Sequence, residues 1–241
     1  MHLITFGQTS IPYEIVRSNK RKTVSITVDI DGVKVIAPID VEIEKVQDVV
    51  KNKVIWIRKQ LLHFEEINDY RHQRLFLSGE KLPYLGRQYR LKAISNTEIT
   101  VPNFKFSQGT FLAEVPATIN KDQYRDALFP LYEDWIKTKA LKYVNNRISR
   151  YTTILQITPS TISIKNQEQR WGSCTPSGKV LLNWRIFLAP VSVIDYVLIH
   201  ELAHLKHLNH STQFWETIKM LQPNYEEKKE WLRINGPSLY I

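Results

Sequence analysis

The chain has 241 residues, enough to bury a substantial core as one domain or two, and its 43% hydrophobic content excludes a disordered protein. Its one cysteine, Cys174, excludes an internal disulfide framework. A formal net charge of +9 admits nucleic acid, nucleotide phosphates or acidic substrates as partners, but Lys and Arg are spread along the chain and only Asn19-Lys20-Arg21-Lys22 forms a short cluster.

The start, MHLITFGQTS, lacks the basic residues and long apolar run of a secretory signal. The apolar-rich stretch 180–199 is broken by Asn183, Arg185, Pro190 and Asp195, so no membrane span is expected and the expected location is cytoplasmic.

Residues 11–39 read as strands. Ile11, Tyr13 and Ile15 alternate around Pro12, which suggests an edge strand or a strand start. Val24 to Val28 alternates again, Asp31-Gly32 is a hairpin signal, and the strand resumes up to Pro38. From Val41 to about Glu66 the apolar spacing becomes helical, through Val46, Val49, Val50, Val54, Ile57 and Leu61. A second β region covers Leu75 to Ala93, and residues 98–115 supply one or two further strands. Thr118 to Asn120 can cap a long helix reaching about Ser149. A strand at Thr161 to Lys165 precedes Arg170-Trp171-Gly172-Ser173-Cys174; Pro176 to Gly178 turns, and Lys179 to Leu188 returns as an extended segment. The next helix starts after Pro190 with Ser192 as N-cap, and Ile194, Leu198, Leu205 and Leu208 form its buried stripe. Ser211 caps a helix that Pro223 ends, and Asn224 to Gly236 holds the last helix. No internal repeat is read.

The chemistry concentrates at His200-Glu201-Leu202-Ala203-His204, an H-E-x-x-H pattern. Two histidines four apart lie one turn apart on the same helix face and can close on one zinc ion. Glu201 stands about 100° round the helix from His200. From there it can take a proton from a zinc-bound water, which points to metal-assisted hydrolysis. A third ligand is required. His207 lies about 10.5 Å along the axis from His200, too far on a straight helix. His210 can serve if the chain leaves the helix between His207 and Asn209, with Asn209 in a left-handed C-cap. Glu216, from the following helix, is the other candidate.

These residues, with RWGSC at 170–174, LNWRIFLAP at 182–190 and VIDYVLIHELAHLKHLNHSTQFW at 193–215, resemble the YgjP-like (DUF45) zinc metallopeptidase family, related to SprT-like and minimal gluzincin-type zincins. The Val28 to Pro38 hairpin, Trp56-Ile57 and Tyr84-Leu85-Gly86-Arg87 extend the resemblance over nearly the whole chain. It implies an α+β fold with a β-rich N-terminal region containing a helix (1–117) and a zincin-like hydrolase domain (118–241). It also implies Zn2+ held by His200, His204 and His210, with Glu201 as catalytic base. Gln169 stands where a basic residue often precedes the arginine of RWGSC.

Three residues near the motif are candidates for the substrate site. Arg170 can hold a carboxylate or phosphate, with an ion pair tying strand to helix as the structural alternative. Trp171 is core packing or a cleft wall. Asn183 is read as orienting a ligand histidine. Three activities follow: a zinc metallopeptidase whose Thr161–Lys165 or Leu181–Phe187 strand pairs with extended peptide or protein; a metal-dependent nucleotide (UTP) pyrophosphatase on the same site, with Arg170 and Arg185 as the nearest cations; and a basic nucleic-acid-associated module with structural zinc.

Overall fold

The alternating apolar residues of the N-terminal third pair into a four-stranded sheet. In the computed structural model, which describes residues 2–7, 9–19, 23–29, 32–70, 74–167 and 170–241, the strands are β1 (His2–Phe6), β2 (Thr9–Ser18), β3 (Ser25–Asp29) and β4 (Gly32–Pro38). Residues 20–22 of the basic cluster, Asp31 and Gln169 lie outside the described residues. The order is β1-β2-β4-β3, with β2 parallel to β4 and the other pairs antiparallel. Strand β2 is therefore interior, not an edge. Pro12 is accommodated because the β2–β4 ladder begins at Tyr13, so its missing N–H costs no bond there. The helical stretch that follows is two helices, α1 (Ile43–Asn52) and α2 (Val54–Tyr70), interrupted at Lys53. Val46, Val50 and Ile57 are fully buried, as are Val35 and Ala37 of the sheet.

The chain divides into two compact units, Met1–Arg71 and His72–Ile241, so the boundary falls after Arg71 and not at residue 117. The reason is packing. Strands β5 (Lys81–Tyr84), β6 (Arg87–Asn96), β7 (Asn103–Ser107) and β8 (Thr110–Pro116) bury Leu82, Leu91 and Phe111 in one core with Tyr132 and Ile136 of the long helix α3 (Tyr124–Leu155). Phe111 meets Tyr132 edge-on at 5.6 Å and Trp135 at 5.0 Å.

This second sheet, ordered β5-β6-β8-β7 with β6 parallel to β8, repeats the topology of the first. Each has a glycine at positive φ in its first turn (Gly7, Gly86) and in its second (Gly32, Gly109). Each ends in a proline, Pro38 or Pro116. The fold thus contains an internal structural repeat that the sequence reading did not find.

A small third sheet carries β9 (Thr161–Lys165), β10 (Gly172–Cys174) and β11 (Lys179–Asn183) in the order β10-β11-β9. Strand β11 is paired on both sides, so Leu181 to Asn183 offers no free edge to a substrate strand; Trp184–Leu188 is a 3-10 turn, not a continuation of the strand. Helix α4 (Val191–Ala203) packs against α3, β10, β11 and two closing helices, α5 (Thr212–Leu221) and α6 (Tyr225–Asn235). The architecture is α+β. No described helix is long and apolar enough to cross a membrane.

Candidate metal centre

Helix α4 is apolar around nearly its whole girth, with Val193, Ile194, Leu198, Ile199, Leu202 and Ala203 all buried, which makes it the central helix of its unit. Its N-cap is Pro190, not Ser192, and its position is set by the turn between β5 and β6. The N–H groups of Leu85 and Gly86 donate to the carbonyls of Phe187 and Leu188 at 2.9 and 3.1 Å. A β-carbon on Gly86 would fall 2.7 Å from Cα of Pro190. The Tyr84-Leu85-Gly86-Arg87 motif thereby fixes where the helix begins. On the first turns Asp195 accepts from the Tyr143 hydroxyl and the Arg147 guanidinium of α3, both at 2.8 Å, which ties α4 to α3.

The helix ends at Ala203, earlier than the spacing suggested. His204 is its C-cap, and the N–H groups of Leu205, Lys206 and His207 turn back onto the carbonyls of Leu202 and Ala203. Asn209 is not left-handed, and Leu208 is exposed because it lies past the helix end. This early exit swings His210 back. His200, His204 and His210 each offer a ring nitrogen, all within 4.8 Å of one another. Nε2 of His210 lies 3.2 Å from Nε2 of His200, close to the roughly 3.3 Å expected for two nitrogens on one tetrahedral zinc. Glu216 is exposed on α5 and outside this cluster.

Phe214, fully buried at the start of α5, touches all three rings, with centroids 5.0 Å from His200, 4.6 Å from His204 and 4.8 Å from His210. Trp215 stacks on His210 at 5.5 Å. Ser211 places both residues by capping α5, its hydroxyl accepting from the Phe214 N–H at 3.3 Å. Neither residue is singled out in the sequence, where both lie at the end of the stretch HSTQFW.

The protonation states suit a metal. Nδ1 of His204 lies 3.1 Å from the carbonyl of His207, and since a carbonyl only accepts, Nδ1 carries the proton and Nε2 keeps its lone pair. His207 is not a ligand; its Nε2 donates at 3.1 Å to Thr217, whose own proton goes to the Gln213 carbonyl at 2.8 Å. Burial, helped by the charges of His204, His210 and Lys229, pushes His200 down to about 3, so it is neutral at ordinary pH. His210 is lowered for the same first reason. The set of three imidazoles fits zinc and leaves a fourth position open, the pattern of catalytic and not structural sites.

Glu201 is 6% exposed and, among the described residues, has no hydrogen-bond or ion-pair partner. Burial pushes its carboxyl up to about 7, against the opposing pull of the Arg170 charge. It packs directly on Gly172 of β10, a role of the glycine in RWGSC that the sequence reading missed. A carboxylate that carries no hydrogen bond and lines a cavity beside the histidines is available for proton transfer.

Beside it lies a cavity of about 340 Å³ lined by Arg170, Trp171 and Gly172, by Tyr196, Val197, His200 and Glu201 of α4, and by Lys229 and Leu232 of α6. Two of the three substrate-site candidates, Arg170 and Trp171, therefore reach it. The structural alternative for Arg170 is not realised, since it forms no ion pair among the described residues. Asn183 does not reach the cavity. It is fully buried; its Nδ2 donates to the carbonyls of Gln167 and, at 3.1 Å, Arg170, and its Oδ1 accepts from Arg185 N–H at 3.1 Å. It braces the segment that carries Arg170 and orients no histidine. Arg185 stacks between Trp184 and Tyr240, at 4.7 and 4.9 Å, and does not line the cavity either. Cys174, half-buried, is outside the histidine cluster. Lys229, which the sequence reading did not single out, is the second cation there.

The fold and site are those of a metal-dependent hydrolase of the peptidase kind. Residues 22–235 match the family described as YgjP-like, metallopeptidase domain, and the chain belongs to that family. A solved structure, the metallopeptidase zymogen of Pyrococcus abyssi abylysin, is similar at 24% identity over 39% of this chain and 92% of that one, with a TM-score of 0.35. No curated protein matches the sequence.

Proposed function

We propose that this protein is a zinc-dependent metallopeptidase in which His200, His204 and His210 hold the metal and Glu201 is the general base. The observation that carries the reading is the buried, unpartnered Glu201 carboxylate beside three converging histidine nitrogens, at the wall of a 340 Å³ cavity. Bound zinc supplies Lewis acidity, which polarises a substrate carbonyl and makes water a stronger acid.

The chain's own residues do the rest. His200, held neutral by burial, and His204, fixed in one tautomer by the His207 carbonyl, present lone pairs without first losing protons. The Glu201 carboxyl, raised to about 7, accepts a proton on Oε and can return it to the leaving amine, because neither of its charge states is strongly favoured. Gly172 leaves room for that carboxylate against β10, and Trp171 and Leu232 exclude water from one side of the cavity.

The test is metal dependence. Chelation should abolish hydrolysis of unfolded-protein and peptide substrates, and one equivalent of zinc should restore it; activity that survives verified metal removal overturns the reading.

A second reading, nucleotide pyrophosphate hydrolysis on the same site, is favoured by one observation: Arg170 and Lys229 both line the cavity. Pyrophosphate release from UTP that is lost in Arg170→Gln supports it; no release supports the peptidase.

A further inference from the structure

The cavity beside Glu201 is asymmetric in charge. Most of its wall is apolar or aromatic, from Trp171, Tyr196, Val197 and Leu232, yet two cations, Arg170 and Lys229, reach into it. Neither forms an ion pair among the described residues, although the Glu201 carboxyl shares the cavity with them. Lys229 is instead held over the Trp215 ring at 4.8 Å, a contact that steadies the ammonium while leaving its N–H donors free. The Arg170 segment is fixed from behind, where the Asn183 amide binds the Arg170 carbonyl at 3.1 Å. These are two cations that share a cavity the size of a small-ligand site with one carboxylate, Glu201, so a second negative charge can still be received there.

A peptide bond in the middle of a chain is neutral and has no use for such a pair. We infer that Arg170 and Lys229 receive the α-carboxylate of a peptide's last residue, that the apolar wall receives its side chain, and that the enzyme removes single apolar or aromatic residues from C-termini. This rests on the peptidase reading above. A phosphate could satisfy the same cations, but a triphosphate would bring several negative charges beside Glu201, and the apolar wall would be left without a role. One carboxylate with an apolar side chain uses both halves of the cavity. The guanidinium can grip a carboxylate through two parallel N–H bonds, and the ammonium adds a third donor. The reaction is hydrolysis: the last C–N bond breaks, water supplies the hydroxyl to the new C-terminus, and the proton goes to the amine of the released amino acid.

The experiment compares one peptide ending in phenylalanine as the free acid, as the C-terminal amide, and with two residues appended, using zinc-loaded protein. The free acid should be cleaved with kcat/KM at least about 100-fold above the amide, releasing phenylalanine, and Arg170→Gln and Lys229→Gln should each shrink that ratio at least about tenfold. Binding is read in parallel on the zinc-loaded Glu201→Gln variant, by calorimetry with N-acetylphenylalanine and its amide. The acid should bind at least about tenfold tighter, and that margin should fall when Arg170→Gln or Lys229→Gln is added. Amide and extended peptides cleaved as well as the acid overturn the carboxylate site while leaving the peptidase reading intact. An acid preference unchanged in both cation variants assigns the carboxylate to the metal and also overturns it. Pyrophosphate release from UTP that depends on Arg170, with no peptide cleaved in any form, overturns both.

Discussion

Gly172 and Glu201 are in such close contact that a β-carbon at position 172 would fall 2.6 Å from Cγ of Glu201 and 2.7 Å from its Oε1. No other residue type leaves the carboxylate where it is. Gly172→Ala should therefore lower kcat by about 100-fold, the scale on which an ångström of misplacement acts, while zinc stoichiometry stays unchanged. Steady-state kinetics with metal analysis checks both halves.

The third ligand separates two neighbouring residues. His210→Ala should weaken zinc binding by more than about 100-fold, beyond the loss typical of residues that merely support a ligand, whereas Glu216→Ala should leave it unchanged. Competition titration against a zinc chelator measures each.

The turn beneath α4 should matter for stability and not for chemistry. Gly86 has φ +75° and lies against Pro190, so Gly86→Ala meets both a strained backbone and a contact of 2.7 Å. A loss of about 2 kcal/mol or more is expected from the left-handed conformation and the displaced neighbour together. Urea unfolding at constant slope would show it as a lowered midpoint.

Stability of the metal-free protein should follow a definite pH course. His200 falls from 6.5 unfolded to about 3 folded, so its contribution is complete above about pH 6.5 and is lost as pH falls towards 3. Glu201 rises from 4.5 to about 7, so its contribution is complete below about pH 4.5 and is lost as pH climbs through 7. Between 4.5 and 6.5 the two proton counts cancel and the site adds no slope. Glu201→Gln should abolish the decline on the alkaline side and, with the cancellation gone, make the acidic decline begin at about pH 6.5 in place of about 4.5. Unfolding midpoints measured from pH 4 to 8 on both proteins make the comparison.

Much of the site was legible because its central geometry is local. His200, Glu201 and His204 need only the rise and turn of one helix. His210 lies beside His200 and His204, but the route to it was misread: the helix stops at Ala203 and the exit needs no left-handed Asn209. What escaped depends on packing between distant segments. Lys229 comes from a helix beyond the last ligand, and no spacing ties it to Arg170. Asn183 adjoins the right segment, but its partners are backbone carbonyls, which leave no mark in the sequence. The repeated sheet did leave marks, in Gly7 and Gly86, Gly32 and Gly109, Pro38 and Pro116, but turn glycines are too common to compel the comparison. The domain boundary was misplaced for a related reason: strand pattern groups β1 to β8, whereas the buried contacts of Phe111 with Tyr132 and Trp135 join β5 to β8 to α3.

The most direct measurement is peptide hydrolysis by zinc-loaded wild-type protein and Glu201→Gln, with metal content and fold verified in both. If Glu201 is the base, the substitution keeps the shape and the zinc but lowers kcat by about 100- to 10,000-fold. Equal activity in the two zinc-loaded proteins would contradict the account at its centre, because the buried carboxylate would then have no part in the reaction.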